Sequence, residues 1–164
     1  MNKSILRKKC LQIKLVITDV DGVLTDGGMY FSEKGEILKK FNTRDGMAVE
    51  LLRNKKIPVI LITREKSKIV LSRAKKLKIN DTFIGIKEKE SLIPKICKKY
   101  KINERNIAYV GDDINDLNIL KQVGLSISPQ DAISEIKKYS DYVCKSKGGE
   151  GVLREIADII ISVK

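Results

Sequence analysis

The chain has no histidine and no tryptophan, and only three cysteines, three prolines and three phenylalanines among its 164 residues. Each shortage closes a route. Without histidine there is no imidazole general base and no Cys–His zinc site. The cysteines, Cys10, Cys97 and Cys144, are scattered, odd in number and never spaced as CxxC. That pattern reads as reduced thiols, not a disulfide framework. Aromatics make up 5% of the chain and do not alternate with its lysines, so platforms for stacking nucleic-acid bases are poor. No apolar run approaches the ~18–20 residues that span a bilayer. The opening stretch, "MNKSILRKKCLQ", is basic but lacks an apolar signal core. The expectation is a cytoplasmic protein. Acid–base work near neutral pH is left to carboxylates, lysines, tyrosines or cysteines.

What is present is ample apolar and charged material. The 42% hydrophobic and 33% charged content reads as one globular domain over residues 1–164. The formal net charge is +12. The lysines are spread through "LRKK", "RNKK", "RAKKLK" and "CKKYK", as on solvated helix faces. The reading is no nucleic acid and no membrane; a basic surface can still steer an anionic small molecule.

Short β-branched runs alternate with amphipathic stretches. The sequence predicts buried strands at 14–19, 58–63, 82–86, 107–110 and 125–127, with a possible sixth at 142–144. It predicts helices at 46–54, 67–78, 89–100, 115–123, 132–138 and 151–161. In 67–78, Ile69, Val70, Ala74 and Leu77 recur at helical spacing. Such alternation gives a doubly wound α/β fold, a Rossmann-like parallel sheet with helices on both faces. One segment breaks it: residues 27–42, "GGMYFSEKGEILKKFN", read as a β-hairpin inserted after strand one, with Gly35 in its turn.

In such a sheet, function gathers at the C-terminal strand ends. Asp19 and Asp21 stand there, in "ITDVDGVLTDGG"; so do Thr63, Lys89 and the acids of "GDDIND", residues 111–116. Clustered carboxylates are costly unless a cation neutralises them, and hard oxygen ligands favour Mg²⁺. One carboxylate can attack phosphorus; a second, two residues on, can protonate the leaving oxygen and later activate water. Thr63 can donate to a phosphoryl oxygen, and Lys89 can neutralise charge and hold the nucleophile. Lys87 is a rival for that last role. Each feature also has a plainer reading: a turn at Asp19–Asp21, a helix start at 112–116, a solvated charge run around Lys89.

Together, "DVDGVLT", Thr63, Lys89 and "GDDIND" resemble the four motifs of the haloacid dehalogenase superfamily of phosphatases, in order and spacing over nearly the whole chain. The resemblance implies Asp19 as nucleophile and Asp21 as general acid/base. It implies Mg²⁺ held by Asp19, Asp21 (through its carbonyl) and Asp112, with Asp113 and Asp116 supporting them from behind. The hairpin and the tail "KGGEGVLREIADIII" further resemble the capless branch that dephosphorylates 3-deoxy-2-keto sugar acids. That branch implies no cap domain, and a homotetramer with the hairpins packed at its centre. "TREKSKIVLSRAKKLKI" is similar to the nine-carbon (sialic-type) members, implying substrate contacts from Glu65, Arg73 and Lys76; Thr43 and Arg44 of "FNTRDG" join them. Arg64 stands where the branch usually has glycine. The expectation is therefore a nine-carbon sugar-acid 9-phosphate phosphatase. The alternative is the eight-carbon 3-deoxy-D-manno-octulosonate 8-phosphate. More distant readings are a phospho-acceptor signalling domain, which should carry its acceptor Asp after a middle strand, and a non-catalytic basic scaffold.

Overall fold

A computed structural model describes residues 2–164. Its centre is a six-stranded parallel sheet. The strands are β1 (Leu15–Thr18), β4 (Val59–Ile62), β5 (Asp81–Phe83), β6 (Ile107–Val110), β7 (Leu125–Ser128) and β8 (Tyr142–Val143). Their order is β5-β4-β1-β6-β7-β8. The register is parallel throughout, with Ile17 opposite both Ile60 and Tyr109. The central strands β1, β4, β6 and β7 are buried on both faces, hence the almost wholly apolar sequences of β1, β4 and β6; β7 alternates leucine or isoleucine with serine.

Alternation along each strand divides the core. Val16, Leu61, Val110 and Ile127 point to one side and pack with residues of α2 (Thr43–Asn54), α3 (Lys68–Lys76) and α7 (Val152–Ile161). Leu15, Ile17, Ile62 and Tyr109 point to the other and pack with α4 (Ile93–Tyr100), α5 (Leu117–Leu120) and α6 (Ser134–Tyr139). The chain therefore has three layers, helices over sheet over helices.

The hairpin is present as β2 (Tyr30–Ser32) and β3 (Gly35–Leu38), with Ser32 opposite Gly35. Gly35 has φ +108°, the positive value the turn requires. Three predicted elements differ. The third sheet strand covers 81–83 rather than 82–86, because the chain turns at Gly85, and as an edge strand it is only half-buried. The helix expected at 115–123 is a 3-10 turn followed by only four α-helical residues. The helix expected from 89 begins with a 3-10 turn, and α4 proper starts at Ile93, with proline next.

An unpredicted helix, α1 (Lys3–Gln12), precedes β1. Asn2 caps it by accepting from the Ser4 N–H. Its one buried residue, Cys10, belongs to the α2–α7 side of the core. Among the described residues, no helix is long and apolar enough to cross a membrane.

Candidate active site

Strand order reverses at β1. The chain first steps outward through β4 and β5, then returns to the other flank of β1 with β6. A cleft opens at the C-terminal ends of strands at such a reversal. Here it is a cavity of about 500 Å³ lined by Asp19, Asp21, Gly22, Thr63, Arg64, Glu65, Asp112, Asp113 and Asn115, with Gly27 at its edge.

Asp19 follows β1 directly and is 4% exposed. Its Oδ1 accepts the Val20 N–H at 2.7 Å, and its Oδ2 lies 2.7 Å from Lys89 Nζ. The Lys89 side chain is wholly buried and also reaches Asp116 Oδ1 at 2.6 Å. Lys87, its rival in the sequence, is exposed. Burial alone would lower the Lys89 pKa, but Asp19 and Asp116 raise it, so the amine stays charged. Burial raises the Asp19 carboxyl well above its usual range; Asp116 adds to this and Lys89 opposes it.

Asp116 is saturated by protein donors. Its Oδ1 accepts from Lys89 and from the Tyr109 hydroxyl at 2.6 Å, and its Oδ2 accepts the Asp112 N–H at 2.9 Å. Asp113 caps the 3-10 turn by accepting the Ile114 N–H at 2.6 Å. Asp112 remains the free acid of the group. Burial, then Asp116 and Asp113, push it up to about 7, against the pull of Lys89.

One oxygen from each of Asp19, Asp112 and Asp116 lies within 4.8 Å of the others. Because Asp116 is already engaged, Asp19 and Asp112 are the side chains left to hold a cation, with the Asp21 segment beside them. An all-oxygen set with unneutralised charge fits a hard divalent ion such as Mg²⁺. Gly22 fixes how closely this loop meets Asp112. Its φ is +78°, and a Cβ there would stand 2.0 Å from Asp112 Oδ2.

Thr63 directly follows β4, is buried, and accepts the Glu65 N–H at 3.2 Å. Glu65 shares the cavity lining; Arg73, Lys76, Thr43 and Arg44 do not. Arg73 donates to the Asn42 carbonyl at 3.1 Å and sits 5.5 Å over the Phe41 ring, so it clamps the segment after the hairpin. Lys76 and Thr43 lie outside the core, and neither reaches the acids. Arg44 lines a second hollow with Arg154, Lys145 and Glu150.

The glycine-rich stretch after β8 has a packing role that sequence reasoning left open. Gly148 leans on the loop after β1; a Cβ there would be 2.2 Å from the Gly22 carbonyl oxygen. The Gly149 N–H donates to the Val23 carbonyl at 3.0 Å. This stretch therefore buttresses the segment that carries Asp19 and Asp21. Sequence reasoning also missed Tyr109 and Lys39. Tyr109 looks like any strand aromatic, and Lys39 sits in a lysine pair.

Next to this segment, Asp45 is buried in the first turn of α2 and caps α7 by accepting the Arg154 N–H at 3.0 Å. Burial raises it from 3.8 to about 6, against the α7 N–H groups and Arg73. The folded chain therefore binds this proton more tightly than the unfolded chain, and stability falls as pH rises from about 4 to about 6. The Asp45→Asn variant would keep the capping oxygen without the charge. Across that window the native chain should lose about 3 kcal/mol relative to Asp45→Asn, the free-energy equivalent of that rise. Urea unfolding of both proteins at pH 4 and pH 7 measures this, and a constant difference would refute it.

Comparison with known proteins agrees with this geometry. Residues 63–156 match the haloacid dehalogenase-like hydrolase family. The 3-deoxy-D-manno-octulosonate 8-phosphate phosphatase KdsC of Escherichia coli (strain K12) is 39% identical over 153 residues, covering 93% of this chain and 81% of that protein. The chain belongs to the haloacid dehalogenase-like hydrolases. It is a phosphoric monoester hydrolase of that family. Among solved structures, the 3-deoxy-D-manno-octulosonate 8-phosphate phosphatase of Moraxella catarrhalis, in complex with magnesium ion, phosphate ion and KDO, superposes with TM-score 0.95. It is 31% identical, over 99% of this chain and 94% of that one. The cobalt-bound phosphatase of Haemophilus influenzae gives TM-score 0.92 at 37% identity, over 94% and 91%. The doubly wound fold without a cap domain is that of these phosphatases. Both of these solved relatives hold a metal ion, cobalt in one and magnesium in the other.

Proposed function

We propose that this hydrolase cleaves the phosphate ester of an eight-carbon 3-deoxy-2-keto sugar acid, 3-deoxy-D-manno-octulosonate 8-phosphate, in the route to lipopolysaccharide. The observation that carries this reading is the 39% identity to phosphatases of that name along 93% of the chain. The sequence placed the nine-carbon acid first, and the relatives favour its alternative. One observation supports the nine-carbon reading: Glu65 lines the cavity. Its companion Lys76 lies outside that lining, at the end of α3.

In the proposed mechanism Asp19 attacks phosphorus and forms an aspartyl-phosphate, while Asp21 gives a proton to the departing sugar oxygen. Asp21 then takes a proton from the water that releases phosphate. Thr63 Oγ1 and the backbone N–H groups of Asp21 and Gly22 donate to the phosphoryl oxygens. Lys89 holds Asp19 in place, and Asp116 with Tyr109 holds Lys89. Mg²⁺, bound by Asp19, Asp112 and the Asp21 carbonyl, would neutralise charge between the acids and the phosphate. Asp113 and Asp116 shape the loop that presents Asp112. Phosphate release from the 8-phosphate ester, with Mg²⁺ and again after chelation by EDTA, tests this. Turnover should require the metal; no release with Mg²⁺ present would overturn the reading.

The proposal extends to assembly. The hairpin exposes Met29, Tyr30, Phe31, Ile37 and Leu38, with Phe31 60% exposed. Exposed apolar side chains concentrated on one hairpin mark a contact surface. We take its occupant to be the hairpins of further copies, in a homotetramer. Light scattering should show the mass of Phe31→Asp/Ile37→Asp falling to that of one chain. A native chain already monomeric, or an unchanged mass, would contradict this.

A further inference from the structure

The hairpin does more than present an apolar face. Just past β3 the chain turns Lys39 inward, and its side chain is wholly buried. The Lys39 Nζ lies 2.5 Å from Asp21 Oδ1 and 2.6 Å from Glu36 Oε1. The other oxygen of Glu36 accepts from the Ser67 hydroxyl at 2.5 Å. Ser67 stands at the N-cap of α3 but makes no side-chain cap to that helix; its hydroxyl is engaged by Glu36. A continuous chain of contacts thus runs from the segment after Thr63, through Glu36 of the hairpin, to Lys39 and Asp21.

Two details give this chain a direction. The Lys39 amine is enclosed between two carboxylates, those of Asp21 and Glu36, and its side chain has no exposure to water. Meanwhile Asp21 Oδ2 is buried and has no hydrogen-bond partner among the described residues, while Asp21 itself lines the active-site cavity. One carboxylate oxygen is therefore tied down; the other is closed to bulk water and has no donor competing for it among the described residues. A carboxyl that must meet a leaving oxygen within hydrogen-bond reach gains from being held in one rotamer.

We propose that Lys39 is a positioning residue for the proton-transfer step, holding Asp21 by Oδ1 so that Oδ2 meets the leaving oxygen of the substrate. Glu36 and Ser67 hold Lys39 in turn. The hairpin is then part of the active site within a single chain. This rests on Asp21 being the general acid, and the test separates the two statements.

The readout is dependence on the leaving group. A sugar alkoxide is a poor leaving group and needs its proton; p-nitrophenolate is a good one and leaves without it. The quantity compared is kcat/KM, which reports phosphoryl transfer and not the later water step common to both substrates. In Lys39→Met, kcat/KM for 3-deoxy-D-manno-octulosonate 8-phosphate should drop about 10²-fold, and kcat/KM for p-nitrophenyl phosphate less than about tenfold. Asp21→Asn should show the same split, larger. A Lys39→Met variant that loses equally on both substrates would make Lys39 a purely structural residue and overturn the inference. No split in Asp21→Asn would instead overturn the role of Asp21 on which it rests. Should Lys39→Met not fold, Glu36→Gln decides. It leaves the amine but loosens its anchor, and should give a split in the same direction of about fivefold. Equal losses there would equally overturn the inference.

Discussion

Replacing Asp19 by Asn is expected to lower turnover about 10⁴-fold or more while the chain stays folded. Asn is nearly isosteric, and its amide oxygen can still accept the Val20 N–H that Asp19 accepts at 2.7 Å. Its amide nitrogen, turned toward Lys89, would replace an ion pair by a donor facing a donor. Some stability is lost on that side. Some is regained, because a buried carboxylate close to Asp116 is removed. The chemical loss has no such offset, since an amide cannot form an acyl-phosphate at a useful rate. Phosphate release and rapid-quench trapping of phosphoenzyme check this together. The native chain should accumulate label that the variant does not. Ordinary turnover by the variant would remove Asp19 from the mechanism.

The second large effect is expected at Lys89. Lys89→Met should cost about 3–5 kcal/mol of stability, because it leaves two buried carboxylates facing each other without their cation. The side chains of Lys89 and Asp116 are wholly buried and that of Asp19 is 6% exposed, so solvent cannot supply the missing charge. Activity should fall about 10³-fold, since Asp19 loses the charge that favours its ionised form. Added Mg²⁺ should recover part of the stability by placing positive charge near Asp19. Urea unfolding with and without Mg²⁺ measures both effects. Stability equal to that of the native chain would show that Lys89 is dispensable to the carboxylate cluster.

These two effects concern residues whose positions were legible before any coordinates. β1, β4 and β6 announce themselves as short apolar runs, and the residues after each run fall at the sheet edge by connectivity alone. Asp19, Thr63 and Asp112 therefore converge as a consequence of strand order. The hairpin was legible for another reason: two extended halves around a glycine turn.

What escaped reading shares a physical cause. Lys39 is one lysine in a chain with 33 lysines and arginines, and nothing local distinguishes it from its exposed neighbour Lys40. Its burial follows only when the hairpin folds back over the loop after β1. Helix α1 buries a single cysteine, so it shows no apolar stripe. Gly148 shows no local reason for being glycine, since its constraint is the approach of Gly22, far away along the chain. Arg73 is expected among the substrate contacts, and in the folded chain its guanidinium is engaged with Asn42 and Phe41. Long-range contacts decided each of these, and periodicity carries no record of them.

The most direct test of the proposed substrate is a parallel measurement of kcat/KM with Mg²⁺ on two pure esters. One is 3-deoxy-D-manno-octulosonate 8-phosphate; the other is a nine-carbon sialic-type acid 9-phosphate. The expected result is a clear advantage for the eight-carbon ester, in line with the relatives that share the length of the chain. An advantage for the nine-carbon ester would contradict it, and would make Glu65 in the cavity wall the feature that reports the substrate.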